Sequence, residues 1–341
     1  MLEQAIAPFL ARRLFGACAA GTVDDSGPGT PEFFGTLDDA PLGPDALFDC
    51  ASLTKSLVGA ACALVALQEG RTSLDERIVD RLPELRVPWR EEVTLRHLLA
   101  HTLDYRISLS SLKDLPPEEI LARVLSHRFE RRPGETHLYC NATSLVLGLW
   151  LERLERRRLD AVARERVFAP LGMESATYYP RERGGIEGIV PTEVDPWREG
   201  EVRGAVHDES AYALRGRGPV ASAGLFLTVG DLQRFVFELL AASMGEGKLF
   251  SRETMELVDR NWIPGLGDAA LGFERNQPAW MGDCSGGHRV GKTGFTGCSF
   301  VLDLKKRKGV VLLSNCTWPK RKARAEIDAL RRACAAVALD S

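Results

Sequence analysis

Hydrophobic positions fall into three textures along the chain. Residues 1–12 space them as a first helix. Leu14 to Val23 and Glu32 to Leu37 read as strands, separated by the turn-rich Asp24-Asp25-Ser26-Gly27-Pro28-Gly29. From Cys50 to Gln68 the chain is dominated by Ala, Leu and Val, and Lys55 is its single charged residue. A run apolar nearly all round and of that length predicts a buried helix, stopping near Gly70. A helical middle follows. Thr94 to Ala100 forms a short helix capped by Thr94, and Pro116 to Ser126 a helix with Pro-Pro at its entrance. Leu138 to Arg157 and Leu159 to Ala169 continue the pattern. After a polar, loop-rich Gly184 to Gly204, an amphipathic helix spans Leu232 to Ser243, with Thr228 or Asp231 as its start signal. Arg252 to Arg260 is one more short helix. From about Leu271 strands return. Gly297 to Leu304 and Gly309 to Asn315 flank Lys305-Lys306-Arg307-Lys308 as a β-hairpin, and Lys320 to Val337 closes the chain as a helix. Strands at both ends and helices between predict an α/β fold of the α+β type. Residues 1–50 and 265–341 form a discontinuous α/β domain, and 51–264 a mainly helical insertion, with a cleft between the two.

Composition narrows the function classes. The 341 residues carry 44 Lys plus Arg against 47 Asp plus Glu, a net charge of −3. No basic excess of the kind nucleic-acid binders show is present. Arg156-Arg157-Arg158 and the Lys305 to Lys308 run read as solvated helix-end and hairpin charges. No apolar run reaches transmembrane length. The N-terminal Met1-Leu2-Glu3-Gln4-Ala5-Ile6-Ala7 lacks the basic and apolar regions of a signal peptide. The eight cysteines are scattered without a C-x-x-C pair, which points to neither a zinc site nor a disulfide scaffold. A reduced, cytoplasmic protein is the expectation.

Candidate chemistry sits in the buried helix. Ser52 and Lys55 are three apart and so share a helical face. Burial favours the uncharged amine of a lysine, and an amine there can take the proton of a nearby hydroxyl. Ser52 also lies near the helix start, where unpaired backbone N–H groups can stabilise an oxyanion. Ser-x-x-Lys alone is a weak pattern, since Ser110 to Lys113 repeats it in a polar loop. Two further motifs lie downstream. Tyr139-Cys140-Asn141 opens the helix through Leu145 and Leu149. Lys292-Thr293-Gly294 lies among Gly291 and Gly297, glycines that permit close backbone approach on a strand.

Together and in this order, the three motifs resemble the serine β-lactamase and penicillin-binding-protein superfamily. The Tyr-x-Asn branch, with class C β-lactamases, D-alanyl-D-alanine peptidases and related carboxylesterases, is the most similar. Phe48 to Lys55, Thr94 to Thr102, Pro133-Gly134-Glu135, Pro170 to Met173, Ala223 to Phe226 and Gly291 to Gly297 extend the resemblance over most of the chain. It implies an antiparallel sheet flanked by helices with an inserted helical domain. It further implies a serine hydrolase acting through an acyl-enzyme on a small-molecule ester or amide or a short peptide, with no cofactor. Carboxylesters, β-lactams and D-amino-acid peptides all remain open; the absence of a visible leader weighs against a cell-wall role. Ser52 would be the nucleophile, with Lys55 and Tyr139 sharing the proton work. Asn141, Lys292, Thr293 and Gly294 would bind substrate, and the backbone N–H groups of Ser52 and Phe295 would form the oxyanion hole. A lysine at 292 leans towards substrates bearing a carboxylate, because ester-hydrolysing relatives often lack it. Three departures stand out: His101-Thr102 continues as Leu103-Asp104-Tyr105, Cys140 replaces a small hydroxyl residue, and the N-terminal strand pair is short.

Other patterns lead nowhere comparable. His97 and His101 have zinc-like i, i+4 spacing but lack the glutamate of H-E-x-x-H, so a metal is not expected. His207-Asp208-Glu209 reads as a loop near the cleft mouth. The rival to an enzyme is a catalytically silent scaffold on the same fold.

Overall fold

The computed structural model describes residues 1–340. Twelve strands form among them. In chain order they are β1 (Ala17–Asp24), β2 (Gly27–Pro28), β3 (Glu32–Leu37), β4 (Ala40–Pro41), β5 (Phe48–Asp49) and β6 (Glu193–Asp195). The remainder are β7 (Gly200–Val202), β8 (Phe226–Leu227), β9 (Glu274–Arg275), β10 (Arg289–Thr293), β11 (Ser299–Asp303) and β12 (Lys308–Ser314).

The main sheet has the order β4-β3-β1-β12-β11-β10-β9, every pairing antiparallel, with β2 hairpinned onto β1. Its centre joins the two ends of the chain, with Ala19 opposite Leu313 and Ala20 opposite Leu312. Successive residues point to opposite faces. Ala17, Ala19, Val311 and Leu313 enter one core, and Cys18, Ala20, Val310 and Leu312 enter another. Helices Leu2–Ala11 and Arg324–Leu339 supply the second core's other side, through Leu2, Ile6, Ile327 and Leu330. A strand covered on both faces has no solvent side to mark with polar residues, so the middle of β11, Phe300-Val301-Leu302, is apolar without alternation and the strand is buried throughout.

Helix Val229–Met244 covers the first face of the sheet, where Gln233 Nε2 donates to the carbonyls of Thr22 and Gly29 at 2.9 and 2.8 Å. Of its two candidate start signals, Thr228 is the cap, accepting from the Asp231 N–H at 3.4 Å. The apolar core runs without a break from this face into the helical half, through Leu57, Leu64, Leu145, Val146 and Trp150. The polar stretch Gly184 to Gly204, read as a loop, contains the β6–β7 hairpin. Among the described residues no helix is long and apolar enough to cross a membrane.

Two local departures from the sequence reading bear on function. The buried helix does not run as one α-helix: Lys55–Ala60 is a π-helical segment that passes into α-helix Ala61–Gln68. Single π turns of this kind recur at functional sites, because the inserted residue re-aims its neighbours. The helix expected from Leu138 starts at Asn141, leaving Tyr139 on an extended approach. Cys140 is its N-cap, and its Sγ accepts from the Ala142 N–H at 3.4 Å, a role usually taken by a hydroxyl.

Candidate active site

Ser52 is held at the end of a bend that a buried carboxylate clamps. Ala51 has φ +48°, a left-handed conformation uncommon for a residue with a side chain. Asp49 Oδ1 accepts from the Ala51 N–H at 2.8 Å, and Asp49 Oδ2 accepts from the His207 N–H at 2.6 Å. Burial pushes the Asp49 carboxyl up to about 6, although both accepted hydrogen bonds pull it down. Just past this bend the chain turns helical, and Lys55 comes back over Ser52. Lys55 Nζ donates to Ser52 Oγ at 2.9 Å, to Asn141 Oδ1 at 2.8 Å and to the Ser222 carbonyl at 2.7 Å. Three acceptors match the three donors of an ammonium.

Asn141 is oriented from behind. Its Nδ2 donates to Asp208 Oδ2 at 2.9 Å, which turns its carbonyl oxygen towards Lys55. Asp208 in turn caps helix Glu209–Ala213, its Oδ1 accepting from the Ala211 N–H at 2.9 Å. Tyr139 also borders Ser52 and shares a hydrogen bond with it. Lys55 Nζ is 5.2 Å and Lys292 Nζ 4.4 Å from its ring centroid. Tyr139 keeps 46% of its surface exposed, so the loss of solvent around its hydroxyl, which alone would raise its pKa, is only partial. Lys292, then Lys55, then a hydrogen bond with Ser52 outweigh it and bring the phenol below its usual range. The His101 ring packs on Tyr139 at 4.9 Å between centroids, and burial plus the charges of Lys55 and Lys292 hold His101 well below its ordinary pKa. Near neutral pH it therefore adds no charge.

β10 forms the opposite wall. A Cβ on Gly294 would lie 2.5 Å from the Cys50 carbonyl oxygen, so only glycine lets this strand end approach the Ser52 bend. The buried guanidinium of Arg331 holds the turn beyond it, donating to the Gly294 and Cys298 carbonyls at 2.6 and 3.0 Å. Among the described residues no acceptor takes up the N–H of Ser52 or of Phe295. The exposed Phe295 ring stacks on His207 at 5.5 Å between centroids, and the Arg321 guanidinium lies 5.2 Å from its centroid. Lys292 is buried and ion-paired with Glu274, and Thr293 Oγ1 donates to the same Glu274 oxygen at 2.9 Å. Beside Tyr139, Lys292 and Thr293 opens a cavity of about 270 Å³. A serine hydroxyl in contact with a lysine and a phenol of lowered pKa is the kind of arrangement that activates a nucleophile, and unpaired backbone N–H groups are the kind of donor that can receive a negative oxygen.

The family model Beta-lactamase matches residues 2–335. The chain belongs to the beta-lactamase family. A putative D-alanyl-D-alanine carboxypeptidase from Escherichia coli strain K12 is 26% identical over 302 residues, covering 79% of this chain and 69% of that protein. Among solved structures, EstCE1, described as a hydrolase with promiscuous acyltransferase activity, aligns at a TM-score of 0.76 with 18% identity. That alignment covers 98% of this chain and 97% of its partner. A mutant of simvastatin synthase from Aspergillus terreus aligns at 0.75 with 19% identity, over 98% and 93% of the two chains. At these identities the structural likeness concerns the fold: a beta-lactamase and transpeptidase-type architecture with an antiparallel sheet.

In this beta-lactamase-family protein, Ser52, Lys55, Tyr139, Asn141, Lys292, Thr293, Gly294 and Phe295 converge on one cleft, from three separate stretches of chain. Four contributors were not singled out from sequence. Ser222 acts through its carbonyl, which no side-chain pattern reports. Asp49 lay inside the quoted Ser52 stretch, but nothing in the residue order told that its carboxylate would turn inward. Asp208 stood in the His207-Asp208-Glu209 run, read as cleft-mouth loop, where it instead caps a helix and holds Asn141. Glu274 carried no signal, because its partner Lys292 is 18 residues away and the pairing needs β9 beside β10. The zinc-like histidines have separate roles. His97 Nδ1 accepts from the Thr94 N–H at 3.1 Å and closes that helix start, while His101 packs on Tyr139. The second Ser-x-x-Lys lies on the 3-10 turn Leu109–Leu112, and Lys113 stacks on Trp197 at 4.5 Å.

Proposed function

We propose that the protein is a serine hydrolase that works through an acyl-enzyme on Ser52. The observation that carries this reading is the contact of Lys55 Nζ with Ser52 Oγ at 2.9 Å, in a lysine whose other two donors are held by Asn141 and Ser222. A lysine so engaged serves as a hydrogen-bond donor to the serine oxygen. Tyr139, with its lowered pKa, is then the group that accepts the Ser52 proton. Oγ attacks the substrate carbonyl, and its carbon–oxygen bond forms as the proton moves to Tyr139. The Ser52 and Phe295 N–H groups receive the oxyanion. Collapse breaks the bond to the leaving oxygen or nitrogen, which takes the proton from Tyr139. Water then attacks the acyl-enzyme by the same route, releasing a carboxylic acid and restoring Ser52. Esters and amides both fit this scheme, and the likeness to a putative D-alanyl-D-alanine carboxypeptidase keeps amides in view beside esters.

Intact-protein mass spectrometry with a fluorophosphonate tests the reading. One adduct is expected, on the peptide that carries Ser52, with none in Ser52→Ala. An adduct that survives in Ser52→Ala rejects the assignment.

A further inference from the structure

The two side chains that could recognise an anionic substrate are occupied by a carboxylate of the chain itself. Lys292 is ion-paired with Glu274, and Thr293 Oγ1 donates to the same oxygen at 2.9 Å. The pairing of β9 with β10, Gly291 opposite Glu274, builds this arrangement into the sheet edge. Burial alone would raise the Glu274 pKa, but Lys292 and Thr293 outweigh it and lower it; Glu274 in turn holds Lys292 above its usual value. Both groups are charged near neutral pH, and the pair is neutral as a unit.

The cations lining the cavity of about 270 Å³ beside this pair are Lys292 and Arg324, each ion-paired with a carboxylate of the chain, Arg324 through its Nε at the exposed edge. Its lining includes Ala269, Ala270 and Phe273, with His101 and His137, both of which burial pushes below their ordinary pKa. Its other charged residues have partners. Asp268 is held by Arg275 through two contacts of 2.7 Å, and Arg324 Nε lies 2.7 Å from Asp328. The cavity opens next to the Tyr139 side chain, and a leaving atom must face the group that protonates it. Under the acyl-enzyme reading of Ser52, on which this argument rests, the cavity is therefore the leaving-group side. A carboxylate entering it would find Lys292 already neutralised by Glu274, with no net positive charge to replace its lost water, and would meet the like charge of Glu274 at close range.

We infer that this cavity takes uncharged leaving groups, such as the alcohol of an ester, and that Glu274 is a specificity-determining residue that rejects leaving groups bearing a carboxylate. A peptide ending in a D-amino acid has such a carboxylate, so the inference separates this chain's substrates from those of a carboxypeptidase.

The test uses two substrates with one acyl group and one leaving alcohol, which bears a carboxylate in the first and its methyl ester in the second. In the wild type, kcat/KM should favour the methyl ester by roughly tenfold or more, the scale of one unmatched charge in a pocket. Glu274→Gln frees Lys292 and should narrow that ratio by about the same factor. Arg324→Ala, at the cavity rim, should leave the ratio where it is. A wild-type preference for the carboxylate overturns the inference, whether or not any variant folds. So does a ratio unchanged in Glu274→Gln, or a carboxylate preference that Arg324→Ala abolishes. Fluorophosphonate labelling of Ser52, run on each protein, separates the two levels. Lost labelling in the wild type counts against the acyl-enzyme, whereas intact labelling with the wrong ratio counts against Glu274 alone.

Discussion

Asp208 Oδ2 accepts from Asn141 Nδ2 at 2.9 Å, and this bond decides which end of the Asn141 amide faces Lys55. Asp208→Asn should keep the helix cap, since asparagine caps as well as aspartate. It would place an amide NH2 opposite Asn141 Nδ2, which repels it and turns the wrong end of Asn141 towards Lys55. The expected result is a loss of about tenfold in kcat, the order of one misoriented hydrogen bond to a charged group, with little change in Tm. Asp208→Ala should add a cap loss of about 1 kcal/mol to this. Unchanged kcat in Asp208→Asn would show that Asn141 does not depend on this partner.

Lys55 and Tyr139 both hydrogen-bond the Ser52 hydroxyl, and in the proposed mechanism one donates to it and the other takes its proton. Each single variant, Lys55→Ala or Tyr139→Phe, should cost roughly two or more decades of turnover. The double variant should lose little more than the worse single, because neither residue works without the other. Losses that add in full would assign them separate steps. A double-mutant cycle on ester hydrolysis measures this directly.

The charge of Lys292 should be legible in a pH profile. It is the largest influence lowering the Tyr139 pKa. Activity that needs the phenolate rises with pH through that pKa, so the rising limb should lie below the ordinary tyrosine range. Lys292→Ala removes the cation and should move the limb to higher pH. Glu274→Gln removes an opposing negative charge, which raises the Tyr139 pKa in the wild type. It should move the limb the other way. Shifts of the same sign in the two variants would contradict the electrostatic assignment.

Asp49 links stability to pH. Its folded-state pKa is raised to about 6, so the folded protein holds this proton more tightly than the unfolded chain does. The linked stabilisation is fully present below the unfolded value, near the ordinary 3.8, and is lost as pH rises through about 6. Thermal melts of the wild type and Asp49→Asn across pH 4 to 8 should therefore differ most at the acid end. Asparagine can accept only one of the two N–H bonds well, so the variant should also be less stable overall, by about 1–3 kcal/mol for the buried donor left without an acceptor. A gap between the two melts that widens with rising pH would reverse the sign and reject the linkage.

The order of residues was enough to find the buried helix, the terminal strands and the three motifs, because each is a local pattern. A helix apolar all round has to be buried, alternating or continuous apolar runs have to pair, and Ser52 and Lys55 are a helical turn apart by geometry alone. The antiparallel sheet built from both chain ends is what the chain folds into, with Ala19 opposite Leu313. Helix interruptions were not legible. Within the π turn at Lys55–Ala60, Gly59 lies close against Leu147 and Ala221 from distant parts of the chain, and the late start at Asn141 is capped by the sulfur of Cys140, a residue type that carries no capping signal. Nor was the state of Lys292. On sequence it is a lone cation among glycines and points to anionic substrates. In the fold it is paired with Glu274, which sits on a neighbouring strand and carries no motif. Asp208 and Ser222 were hidden for the same reason: they act on Asn141 and Lys55 from loops 67 and 167 residues away. Local spacing determines which groups can do chemistry. Their charge state and orientation come from partners that only long-range packing brings within hydrogen-bond distance.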